Sequence, residues 1–145
     1  MLILTSKNSF SQNKNFNIAL VLNEELLINV EGGKIKHIHN DNLYGSYVPG
    51  NIQLGEDVYK GVMRGEKYYF AFTVVLDYEK NIRKYYEIEL IKAMLEHESN
   101  RSSFCVIEIF DLDIKKYKKK YNPIDKDKNY SYNVILPSYS IIRLK

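Results

Sequence analysis

The amino-acid sequence predicts an α+β fold: a largely antiparallel sheet of about seven or eight strands packed with one long helix (about 79–98) and one short helix (about 112–121). Three observations predict it. Apolar runs of strand length recur along most of the chain, bounded by turn residues. Short turns between them favour antiparallel pairing. One segment instead carries Ile82, Tyr86, Leu90, Ala93 or Met94, and His97 at helical spacing.

Taken in order, residues 2–5 are expected as an edge strand and 6–15 as a polar loop. Strands are expected at 17–22, 25–30 and 34–39. Gly32-Gly33 lies between the last two and reads as a hairpin turn, since paired glycines accept positive φ. Residues 40–56 hold Gly45, Pro49-Gly50 and Gly55, and are expected to be irregular. A short strand at 58–63 turns through Arg64-Gly65-Glu66 into a strong strand at 67–76. Asp77 is placed to cap the long helix. A strand over 83–91 is the competing assignment, because Tyr86, Ile88 and Leu90 alternate with Glu87 and Glu89; the helix is preferred. A strand follows at 103–110. Asp111 or Asp113 caps the short helix, which Asn122-Pro123 ends. A charged loop at 125–129 and two short strands, 130–136 and 139–144, close the chain.

At 145 residues, with no internal linker or repeat, the chain reads as a single domain over 1–145. A hydrophobic fraction of 45% and a net charge of +3 are those of a folding chain, not a disordered one. No apolar run reaches the roughly 20 residues of a membrane helix, so no membrane contact is expected. Met1 to Leu4 is too short for a signal peptide core. Cys105 is the only cysteine, so no intrachain disulfide forms and a reducing compartment, the cytoplasm, is expected.

Phe, Tyr, Met, Ile, Asn and Lys total 69 residues, against 17 for Gly, Ala, Arg and Pro. That bias points to A/T-rich coding DNA, which supplies many tyrosines and lysines without selection for a site. The charge is nevertheless uneven. Residues 101–145 carry ten basic and five acidic side chains, a net of +5, while 51–100 carry seven and nine.

The basic excess centres on Lys115, Lys116, Lys118, Lys119 and Lys120, interleaved with Tyr117 and Tyr121. Such a cluster is a candidate nucleic-acid surface. Its plainer reading is a solvated helix face, with both tyrosines packed on the sheet, and that reading is preferred. His37 and His39 share a strand face but bring no complete metal-ligand pattern, and no metal or cofactor is expected. Asp111-Leu-Asp113-Ile-Lys115 contains the D-x-K spacing of Mg²⁺-dependent nucleases, with Asp77 as the further acid. Helix capping explains Asp113 more simply. Cys105 lies in an apolar strand and is expected in the core.

No nucleophile elbow or phosphate-binding loop is present in the sequence. Thirteen tyrosines exceed the needs of one small core, so some are expected at a surface that binds another protein. Tyr44, Tyr47, Glu56, Asp57 and Tyr59, in and beside the 40–56 loop, are the candidate partner-binding residues. The expectation is a small non-catalytic binding module, similar in kind to immunity proteins, antitoxins or counter-defence inhibitors, that neutralises a toxin or effector by direct contact. A basic chain does not match the basic active site of a nuclease, so either its acidic middle third is the expected contact or the partner is not a basic nuclease. The alternative is a nucleic-acid-binding protein or small metal-dependent nuclease using the basic C-terminal third.

Overall fold

The alternating strands assemble into three sheets rather than one. The computed structural model describes residues 13–96, 104–137 and 141–143, so the calls on 2–5 and His97, and the ends of the strand expected at 139–144, lie outside the described residues. Strands β1 (Asn13–Phe16), β2 (Ile18–Leu22), β3 (Glu25–Leu26), β4 (Glu31–His37), β5 (Asn40–Leu43), β6 (Gly45–Val48) and β7 (Asn51–Gly55) lead into helix α1 (Glu56–Met63). Then come β8 (Tyr68–Asp77), β9 (Ile82–Leu90), α2 (Lys92–Leu95), β10 (Cys105–Asp111), α3 (Lys115–Lys118), β11 (Tyr130–Ile135) and β12 (Ile141–Arg143).

The sheets run β1-β7-β6, β12-β11-β10-β2-β3 and β5-β4-β8-β9. All pairings are antiparallel except β2 with β10, which is parallel. One continuous core joins the sheets, drawing Phe16 and Ile52 from the first, Leu20 and Ile107 from the second, and Phe70 and Ile88 from the third.

This architecture corrects the α+β expectation. Strand accounts for 54% of the described residues and helix for 13%, and only α1 exceeds two turns. The long helix expected at 79–98 is mainly β9. Asp77 does not cap a helix: its Oδ1 accepts a hydrogen bond from the Lys80 backbone N–H at 3.0 Å. Asn81, at φ +55°, then folds the chain back onto β8. Across this hairpin, Phe72 opposes Tyr86 and Phe70 opposes Ile88, so the apolar face of β9 enters the core. The short helix at 112–121 shrinks to one turn, α3.

Three local expectations also change. Gly32-Gly33 lies inside β4, where Gly32, at φ +62°, accommodates a register shift between Glu31 and Lys34. The stretch 40–56 forms three short strands, because its turn residues punctuate a meander. Residues 58–63 are helical. Val58 and Val62, four apart, are buried with Gly61, and Glu56 and Asp57 oppose the positive N-terminal end of the α1 dipole.

Candidate functional site

Strand β9 is the edge of its sheet, with β8 on one side and no strand on the other among the described residues. An unpaired edge leaves backbone groups to satisfy. Two tyrosines of β11 do so. The Tyr130 hydroxyl accepts from the Glu87 N–H at 2.8 Å and donates to the Glu87 carbonyl at 3.0 Å. The Tyr132 hydroxyl accepts from the Glu89 N–H at 3.0 Å. Both rings are buried, and burial pushes the Tyr130 phenol up to about 12, so it stays neutral and able to donate. The phenols thus tie the four-stranded sheet to the five-stranded one.

Beside this seam lies a cleft of about 600 Å³. Glu87, Glu89, Tyr130 and Tyr132 line one part of it, Tyr69 of β8 and Lys67 just before β8 another. The loop before β11 supplies Ile124, Asp125, Asp127 and Lys128. Four carboxylates face two ammonium groups, a net of −2 on a chain whose total is +3.

The carboxylates are not equivalent. Glu87 is held by Lys36 at 2.6 Å, by the Tyr85 hydroxyl at 2.9 Å and by Lys128 at 3.6 Å. Burial alone lifts its pKa, but the hydrogen bonds from Lys36 and Tyr85 and the charge of Lys128 outweigh that and hold it below the usual range. Glu89, Asp125 and Asp127 have no ion-pair partner among the described residues. Tyr69 stands directly opposite Glu89 across β8 and β9, so ring and carboxylate share a sheet face.

The residues singled out from sequence are scattered. Tyr44 is exposed and its hydroxyl donates to Gln53. Tyr47 is only 9% exposed, and its hydroxyl donates to the Leu27 carbonyl at 2.7 Å. Glu56 and Asp57 open α1, with Glu56 3.5 Å from Lys60. Tyr59 stacks on Phe16, under the Lys14 ammonium. No hydrogen bond, ion pair or ring contact joins Tyr44 to Glu56, Asp57 or Tyr59.

Lys115, Lys116, Lys118, Lys119 and Lys120 are exposed on and just after α3. Tyr117 is buried and Tyr121 stacks on Phe110 with ring centroids 4.2 Å apart. Lys116 pairs with Glu24 at 2.8 Å. In the D-x-K segment the cation against the acids is Lys84 of β9, not Lys115: its Nζ donates to Asp111, and to Asp113 and the Asn129 carbonyl at 3.2 Å. Asp77 is committed to its turn. His37 stacks on Tyr68 at 4.5 Å. No group of three metal-ligating side chains occurs among the described residues. Cys105 is buried, and burial pushes its thiol up to about 12.

Comparison with protein-family models, curated proteins and solved structures returned no match. Glu87 and Glu89 of the cleft were visible in the sequence only as the polar half of the strand alternation. Tyr69 carried no signal and Asp125 and Asp127 showed only as part of a charged loop, because three segments distant in sequence must meet to form the cleft.

Proposed function

We propose that this protein is a small non-catalytic binding module that neutralises a partner protein, in the manner of an immunity protein, antitoxin or counter-defence inhibitor. The cleft is the observation that carries it. Three carboxylates without ion-pair partners among the described residues line it, and one of them, Glu89, stands beside Tyr69 on a seam held by hydrogen bonds between sheets. Rigid placement of charge beside an aromatic ring suits recognition, since little side-chain freedom is lost on contact. Four of its ten lining residues come from the acidic middle third and six from the C-terminal third, none of them an α3 lysine. The reading places the encounter in the cytoplasm, where a chain with one buried cysteine needs no disulfide.

Affinity capture from the native host with the full chain, run with nucleic acid retained and again with it digested, tests this. The expected result is one protein that re-forms a complex of fixed stoichiometry from purified components. Recovery of nucleic acid alone contradicts it.

A second reading has one observation in its favour: Lys115, Lys118 and Lys119 are exposed and lack carboxylate partners among the described residues. If they track a phosphate backbone, neutralising all three lowers the slope of log affinity against log salt by about 2 for single strands. An unchanged slope removes this reading. The enclosed Tyr117 weighs against base stacking there.

A further inference from the structure

We propose that the cleft beside β9 receives an arginine side chain presented by the partner protein. The inference rests on the protein-binding reading and names the chemistry of the contact. Glu87 is already occupied by Lys36 and Lys128, so it braces the site. Glu89 is half-buried, and Asp125 and Asp127 stand across the cleft from it. A cation entering between them meets carboxylates with no ion-pair partner among the described residues, Asp125 accepting the Lys126 backbone N–H at 2.6 Å.

The shape of the cation follows from Tyr69. Its ring lies on the same sheet face as the Glu89 carboxylate, one strand away. A planar guanidinium stacks on such a ring while its fork engages a carboxylate, whereas an ammonium offers only a point charge. The seam beneath is stiff: the Tyr130 and Tyr132 hydroxyls hold the β9 backbone that carries Glu87 and Glu89. Lys67, exposed on the lining, has no carboxylate partner among the described residues and is the local competitor for the incoming charge.

The probe is a blocked Gly-Arg-Gly-Arg-Gly peptide titrated into the isotope-labelled full chain and followed by amide chemical shifts. Lysine and glutamate versions serve as controls. Saturable shifts at Glu87, Glu89 and Asp127 are expected, weaker with lysine and absent with glutamate. Glu89→Gln with Asp127→Asn is expected to weaken binding roughly tenfold or more, and Lys67→Gln to strengthen it. Urea midpoints near wild type establish that the variants fold. No saturable shift, equal response to the glutamate peptide, or unchanged affinity in the double variant overturns the proposal. Failure of the protein-binding reading looks different: the peptide fills the cleft, yet capture yields no stoichiometric protein. If instead a captured partner binds the double variant as tightly as wild type, the reading stands and the arginine contact falls.

Discussion

Tyr47 and Tyr86 are both buried phenols, but their hydroxyls face different surroundings. The Tyr47 hydroxyl donates to the Leu27 carbonyl at 2.7 Å and accepts from the Leu20 N–H at 3.4 Å, tying β2 to the segment after β3. The Tyr86 hydroxyl is fully buried with no hydrogen-bond partner among the described residues. Removing a bonded hydroxyl strands its partners, at about 1–3 kcal/mol. Removing an unbonded one relieves a desolvated group. Tyr47→Phe is therefore expected to lose about 1–3 kcal/mol and Tyr86→Phe to be neutral or stabilised by about 1 kcal/mol, read from urea unfolding. Shifts of the same sign and size contradict the assignment.

Helix α1 and strand β9 show how elements depend on close contacts. At Gly61 an added Cβ meets the Tyr68 ring at 2.5 Å and Glu66 at 2.7 Å, so glycine lets the helix lie on β8. Helix propensity alone favours alanine there by about 1 kcal/mol. Crowding against a buried ring costs about 1–3 kcal/mol, so Gly61→Ala is expected to lower the urea midpoint despite the better helix former. On β9, Glu87 links β4 to the loop before β11 through Lys36 and Lys128. Its folded pKa is depressed below the ordinary 4.5. Its stabilising contribution is thus present above pH 4.5 and lost as pH falls through the lower folded value. Glu87→Gln is expected to lose about 1 kcal/mol at pH 7, with the gap to wild type closing under acid. A gap that stays constant to low pH shows that the charge is not responsible.

For the whole molecule, the three sheets share one core, and Cys105 lies within it at 3% exposure. A thiol with its pKa near 12 is almost wholly protonated at pH 8 and does not attack alkylating agents. Labelling by iodoacetamide at pH 8 is expected to proceed only through large-scale opening, with a rate that rises with urea in step with global unfolding. Rapid labelling without denaturant excludes that packing. Charge is also distributed at this scale, with the α3 lysines exposed and the cleft carboxylates shared between β9 and the loop before β11.

The sequence by itself determined the strands with clear alternation. Ile18, Leu20 and Leu22 are buried every second residue, as are Cys105, Ile107 and Ile109, and the 67–76 run became β8 nearly as read. It also placed Tyr117 inward with the lysines facing water. Tertiary structure decided the rest. Ile82, Tyr86 and Leu90, spaced by four, satisfy both the helical period and the strand period. Pairing with β8 broke that tie. Val58 and Val62 pose the same ambiguity, and packing on β8 made that segment a helix. The cleft was illegible for a related reason. Its groups come from 67–69, 87–89 and 124–132, and the shared core, the phenol-to-backbone bonds between two sheets and the Glu87–Lys128 pair bring them to one place.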